Sequence, residues 1–205
     1  MLPSMNQHVP RPPRLPTQAA EGLPRWRWTV ADLDRFVKLG IIEEDDKVEL
    51  IGGELVPMSP TGIEHETIGT DIAEWFRANV PKQVLVKTEL KWRPDEDTYC
   101  EPDIAIFPRA LRPVSKVPAG EVLLLVEIAD SSLNKDTNTK AALYARLGVR
   151  EYWVIDVAAQ ATHVYLAPSA TGYGRKRKVP RNRTLKPTLL PGISLRLADL
   201  QFANE

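Results

Sequence analysis

The run Val122-Leu-Leu-Leu-Val126 carries no polar residue at any alternate position. As a β-strand it is stable only with both faces covered, which places it at the centre of a sheet with layers above and below. Glu127 continues the same register. A carboxylate at the buried end of a central strand is costly unless it is paired or meets a cation. This one segment therefore demands a layered fold and a compensating charge at one end of the sheet. The chain has 205 residues, 43% apolar and 26% charged, which suits one domain with extensions and excludes wholesale disorder. Cys100 is the single cysteine, so neither an intrachain disulfide nor a cysteine-based zinc site is open. No apolar run approaches the roughly 18 residues of a membrane span and no signal-peptide core is present, so a soluble, cytoplasmic protein is expected.

Six of the 18 prolines fall in the first 24 residues, which predicts a disordered leader over 1–25 and a single folded domain over 26–205. Thr29 and Asp32 have capping-box spacing before a helix that runs to Leu39 and stops at Gly40. Lys47–Ile51 and Glu54–Met58 flank Gly52-Gly53, the pair a two-residue hairpin turn requires. Ile68, Ile72, Trp75 and Phe76 recur at helical spacing and predict a second helix over Gly62–Asn79. Strands are expected at Gln83–Arg93, Asp103–Phe107 and Glu121–Ile128. A third helix over Asn134–Leu147 and further strands at Glu151–Asp156, Thr162–Leu166 and Ile193–Leu197 complete the chain. The order describes an α/β fold, a central mixed sheet flanked by helices.

Asp103 opens the strand before the central one. If the two strands are neighbours, its carboxylate meets that of Glu127 at one sheet edge. Two hard oxygen ligands of this kind suit Mg²⁺, which keeps waters and substrate phosphate in its other positions. The competing reading has Asp103 capping a turn and Glu127 paired with an arginine. In the third helix Lys140 heads the apolar stripe of Leu143, Tyr144 and Leu147, so it points toward the carboxylate pair. An ammonium there stabilises charge on a scissile phosphate. Its alternatives are to point outward or to pair with Asp136 at i−4. His65 starts the inward stripe of the second helix and is either a capping or core histidine or a phosphate contact. Glu49, on the hairpin, offers a third carboxylate whose facing alternation does not decide. His8 and His163 have no partner visible in sequence.

Pro102-Asp103, Glu127-Ile-Ala-Asp-Ser-Ser-Leu133, Asp136, Lys140, Tyr144-Ala145, Gly148-Val149 and Glu151-Tyr-Trp153 resemble the signature of the Uma-type family of restriction-endonuclease-like proteins, widespread in bacteria. Val48-Glu-Leu-Ile-Gly-Gly-Glu-Leu55, Met58-Ser-Pro60, His65 and Leu190-Pro-Gly-Ile193 extend the resemblance to roughly residues 28–200. It implies the PD-(D/E)xK nuclease fold, with Asp103 and Glu127 as ligands of Mg²⁺ or Mn²⁺ and a lysine assisting the attacking water. The position two after Glu127 is Ala129 rather than Lys, and the resemblance moves the lysine's role to Lys140. Asp130 and Tyr144 match further family positions. Asp130 is expected at the start of the following helix, and Tyr144 packed or hydrogen-bonded beside the site.

Lys plus Arg and Asp plus Glu both total 27, yet Arg175, Lys176, Arg177, Lys178, Arg181, Arg183 and Lys186 form a stretch without one acid. The zero net charge thus conceals a segment of +7 on a remainder of −7. The segment either tracks a phosphate backbone or is a solvated hairpin whose charges guard an edge strand. The expected activity is metal-dependent hydrolysis of phosphodiester bonds in DNA by an endonuclease. The alternative is a catalytically inactive module of the same fold that binds nucleic acid or a protein partner. A homodimer presenting two sites to a duplex is compatible with either.

Overall fold

A computed structural model describes residues 25–43 and 46–200. The expected leader lies outside the described residues apart from Arg25, which pairs with Glu54, and His8 lies outside them too. The described order is α1 (Val30–Lys38), β1 (Val48–Ile51), β2 (Glu54–Pro57), α2 (Ile63–Asn79), β3 (Val84–Thr88), β4 (Trp92–Asp95), β5 (Thr98–Cys100), β6 (Ile104–Pro108) and β7 (Leu124–Ala129). A π-helical turn (Lys135–Lys140) follows and continues into α3 (Ala141–Leu147). Then come β8 (Glu151–Asp156), β9 (Ala161–Ser169), β10 (Gly172–Pro180), β11 (Thr184–Leu185) and β12 (Leu195–Arg196).

Six strands form the main sheet in the order β10-β9-β8-β7-β6-β3. Every residue of β7 is buried, as its uninterrupted apolar pattern requires. β7 runs parallel to β8, joined by the π turn and α3, whereas β6 is antiparallel to β7 with Ile104 opposite Val126. That register sets Asp103 beside Glu127. One face of the sheet packs Val126, Ile128 and Trp153 against Ile68, Ile72 and Phe76 of α2 and the C-terminal Leu185, Leu195 and Leu197. The other face packs Leu125, Tyr152 and Val154 against Leu143 and Tyr144 of α3, with Trp92, Cys100 and Phe107. Successive residues of β7 thus serve opposite layers, and Glu127 falls on the α3 side.

A second sheet, β2-β1-β5-β4, stands beside the first, and its β5 leads through Glu101-Pro102 into β6. The hairpin turn has both glycines in the left-handed region, Gly52 at φ 57° and Gly53 at φ 85°. Gly53 is required sterically as well, since a Cβ there would meet Arg27 Cβ at 2.9 Å. Thr29 and Asp32 form the capping box of α1, with Asp32 N–H donating to Thr29 Oγ1 at 3.2 Å and Thr29 N–H to Asp32 Oδ2 at 3.0 Å.

The structure departs from the sequence reading in four places. The expected strand over 83–93 is two strands in different sheets, because Glu89 at φ 47° turns the chain out of the main sheet. β5, three residues long, carries too little pattern to be read from periodicity. Residues 119–121 form a 3₁₀ turn, so the central strand starts later than Glu121. Residues 175–178 of the basic stretch lie on a strand absent from the expected set, β10, paired antiparallel with β9 at the sheet edge as the edge-hairpin alternative expects. Only Tyr173 and Val179 turn buried side chains inward, which hid its two-residue period.

Asp156 ends β8 and gathers Ala159 N–H at 2.9 Å, Lys178 Nζ at 3.0 Å and His163 Nε2 at 3.3 Å. Burial opposes its charge, but these donors outweigh it and hold the carboxyl below the ordinary value of 3.8. A depressed folded pKa contributes stability above the unfolded pKa, and that contribution is lost as pH falls through the folded one. Urea melts should therefore show Asp156→Asn destabilised at pH 7, with the difference from wild type shrinking below about pH 4. Trp153→Ala, which empties the contact with Phe76, should cost about 3–5 kcal/mol in the same melts.

Candidate active site

The end of the main sheet, the β1–β2 hairpin and the start of α2 line an open cleft. Its walls include six carboxylates, Glu49, Glu101, Asp103, Glu127, Asp130 and Asp136, but only two lysines, Lys135 and Lys140, together with His65. Each functional side chain is delivered by a different element. β7 supplies Glu127, the residue before β6 is Asp103, β1 supplies Glu49, α2 supplies His65, and the π turn with α3 supplies Lys140 and Tyr144.

Asp103 Oδ2 accepts from Ile128 N–H at 2.6 Å and lies 3.1 Å from His65 Nε2. Asp103 N–H in turn faces Glu127 Oε2 at 3.4 Å. Glu127 is 2% exposed, and its Oε1 receives both Lys140 Nζ at 3.0 Å and the Tyr144 hydroxyl at 2.8 Å. Lys140 is nearly as buried and also reaches Glu49 Oε1 at 3.1 Å and Asp136 Oδ1 at 4.0 Å. Glu49 takes a second cation, Lys135 Nζ, at 2.7 Å. Asp136 is held by the Ser132 hydroxyl.

The sequence reading named Asp103, Glu127, Lys140, His65, Glu49 and Tyr144, and all six side chains meet in this cluster. Asp130 lines the same cleft but sits against the start of α2, where a Cβ on Gly62 would come 3.0 Å from its Oδ2. The basic residues are elsewhere: β10 is separated from β7 by β9 and β8, about 14 Å at ordinary strand spacing. Lys178 is engaged by Asp156, and Lys176 lies over the Tyr165 ring. Lys135 was missed, because its approach to Glu49 depends on π winding that α-helical spacing does not anticipate. Asp136, a position of the family resemblance and otherwise expected as a surface partner of Lys140, is 3% exposed. His163, without a visible partner in sequence, contacts Asp156.

Charge in this cluster is tightly coupled. Burial works against the Lys140 ammonium, but Glu127, Glu49, Asp136 and Asp103 outweigh it and hold its pKa well above the usual lysine value. Burial raises the Glu127 carboxyl; Lys140 opposes that, Asp103, Asp136 and Glu49 add to it, and the net shift is well upward. Asp136 is raised for the same first reason. Glu49 goes the other way: burial opposes its ionisation, but Lys140 and Lys135 together lower its pKa. The hydrogen bond to Asp103 raises the His65 pKa against burial. Burial also raises the Tyr144 pKa, so the hydroxyl remains a donor to Glu127.

A surplus of buried acid over cation is the donor chemistry of a site for a hard metal ion. The strongest hydrogen bonds fall on Asp103 Oδ2 and Glu127 Oε1, which leaves Oδ1 and Oε2 as the oxygens to offer one. Among the described residues no three His, Cys, Asp or Glu side chains converge closely enough to cage an ion. Two carboxylates, Asp103 and Glu127, are as many protein ligands as Mg²⁺, which keeps its waters, usually takes.

The family model Uma2, described as "Putative restriction endonuclease", matches residues 33–198. The chain belongs to the Uma2 family. Among solved structures, it is similar to a protein from Anabaena variabilis described as a "putative nuclease belonging to DUF820". The two are 22% identical with a TM-score of 0.64 over 82% of this chain and 95% of that one, a likeness that concerns the fold. No curated protein matches. The Uma2 match spans the whole cluster from Glu49 to Tyr144, so the family indicates a restriction-endonuclease-like nuclease.

Removing one member of a buried ion network leaves its partners uncompensated, which costs about 3–5 kcal/mol. Lys140→Met should lose that much stability at neutral pH in denaturant titrations, and the loss should diminish on acidification as the stranded carboxylates take up protons. Tyr144→Phe removes one hydrogen bond to a charged group and should cost about 1–3 kcal/mol.

Proposed function

We propose that this member of the Uma2 family is an endonuclease that hydrolyses phosphodiester bonds of DNA with Mg²⁺ or Mn²⁺ held by Asp103 and Glu127. The observation that carries this reading is the meeting of these two carboxylates on adjacent strands, at the floor of a cleft whose acids outnumber its lysines by six to two. An anionic phosphate is repelled from such a cleft until a divalent ion offsets its charge. When bound, the ion supplies the positive charge that draws in the phosphate and lowers the pKa of an attacking water. Asp103 is pre-aimed for this by Ile128 N–H, and Glu127 by the Tyr144 hydroxyl and Lys140. Lys140 stays protonated among its carboxylates, so its part is electrostatic: it favours the ionised form of Glu127 against the burial that raises that carboxyl's pKa, and adds positive charge behind the reacting phosphate. His65, bonded to Asp103 at the cleft wall, is within the same charge network.

DNA as substrate is favoured by the edge strand β10, where Arg175, Lys176, Arg177 and Lys178 are all exposed. With Arg181 and Arg183 they form a basic border on the same sheet as the acidic cleft. A duplex lying across the sheet end would place one phosphate at Asp103 and others on this border. The same border favours nucleic-acid binding without cleavage, the module reading, and the two separate by experiment.

Purified protein incubated with Mg²⁺ or Mn²⁺ should cut supercoiled or linear DNA, and Asp103→Asn should abolish cutting together with the upward shift in melting temperature that Mn²⁺ gives the wild type. Salt-sensitive DNA binding with neither cutting nor a Mn²⁺ shift would establish the non-catalytic module instead. Replacing Arg175 and Arg177 by Ala should weaken DNA binding in all sequences alike and lower the salt slope by about one unit for each phosphate no longer neutralised.

A further inference from the structure

Lys140 Nζ lies against three carboxylates, Glu127 at 3.0 Å, Glu49 at 3.1 Å and Asp136 at 4.0 Å, and its side chain is 7% exposed. An ammonium has three N–H donors. Glu127 and Glu49 lie within hydrogen-bonding distance of Lys140, which with its burial leaves it little to offer a substrate directly. Lys135 is different. Its Nζ donates to Glu49 Oε2 at 2.7 Å, its second contact, the Pro57 carbonyl, is long at 3.4 Å, and its side chain is 20% exposed on the cleft wall.

The two lysines reach the same carboxylate because of the local winding. Lys135 and Lys140 are the ends of the π turn. In an α-helix five residues advance the chain by about 500°, which sets the side chains about 140° apart. Hydrogen bonding from i to i+5 widens the turn and brings residue i+5 nearer to the face of residue i. Glu49 Oε2 and Oε1 then take one lysine each. Such turns occur mostly as single insertions within helices, frequently at functional sites.

We propose that Lys135 is a further catalytic residue of this cleft, the cation that contacts the phosphate of the nucleic-acid substrate directly, while Lys140 acts behind it on Glu127 and Glu49. Glu49 is the shared counter-ion that parks Lys135 at the wall. A phosphate oxygen entering the cleft takes the remaining N–H of Lys135 and competes with Pro57 for a second, and Lys140 keeps Glu49 neutralised meanwhile. The inference rests on the nuclease reading of the cleft and adds a residue that the lysine two positions after Glu127, absent here as Ala129, does not supply.

The test compares wild type, Lys135→Ala, Lys135→Met, Lys135→Arg and, as a surface control, Lys38→Ala. Cleavage kinetics are measured with Mn²⁺, binding of a fluorescent DNA oligonucleotide with Ca²⁺ in place of Mn²⁺, and melting with and without Mn²⁺. Loss of one donor to the transition-state charge should lower kcat/KM about 10²-fold in Lys135→Ala and Lys135→Met, with oligonucleotide binding weakened and the Mn²⁺ melting shift retained. Lys135→Arg should recover most of the loss, and Lys38→Ala should match wild type. Wild-type rates in both Lys135→Ala and Lys135→Met would overturn the role of Lys135 and leave the nuclease reading standing. So would loss of the Mn²⁺ shift in both, which would make the residue a support of the ion site. A wild type that neither cuts nor binds DNA would remove the nuclease reading and this inference with it.

Discussion

The bond on which the site depends is the one Lys140 makes between two sheets. Its ammonium joins Glu127 at the end of β7 to Glu49 of the hairpin sheet, and both carboxylates are buried. Neither acid tolerates that burial alone. The lysine therefore fixes how the small sheet sits against the large one, and with it the width of the cleft between them. Tyr144, one helical turn on, donates to the same Glu127 oxygen and ties α3 into the arrangement.

The rest of the fold delivers residues to this point. The parallel β7–β8 pair requires a crossover, and the π turn and α3 that provide it follow a short loop after β7 ends. That crossover brings Lys135, Asp136, Lys140 and Tyr144 over the sheet end. The antiparallel β6 brings Asp103 from the opposite direction, and α2 covers the other face and contributes His65. Acid gathers here because many elements terminate here. The positive charge collects on the far edge strand, where exposed Arg and Lys side chains also discourage pairing with another chain.

Several features were legible in sequence because each has a strong local cause. The run Val122–Val126 named the central strand, Gly52-Gly53 the hairpin, Thr29 with Asp32 the first helix, and the stripe of Lys140, Leu143, Tyr144 and Leu147 an inward lysine. Neighbouring strands also brought Asp103 to Glu127, and the PD-(D/E)xK resemblance, which agrees with the family and fold of the chain, added their expected role as metal ligands. Glu89 was not legible as a break between sheets, and β10 was legible only as one alternative, a charged edge hairpin, since backbone conformation at one residue and a highly charged edge leave no hydrophobic period.

Burial pattern and uncompensated charge are properties of neighbouring residues, so the amino-acid order alone settles which segments are covered on both sides and which acids and lysine must find partners. Which partners they find is a matter of tertiary structure. Glu49 faces inward because β1 pairs with β5 beside the main sheet. Lys135 joins it because of a π turn, and the basic strand lies three positions from β7 because of strand order. These are relations between residues distant in the chain, set by packing and register, and local periodicity carries no record of them.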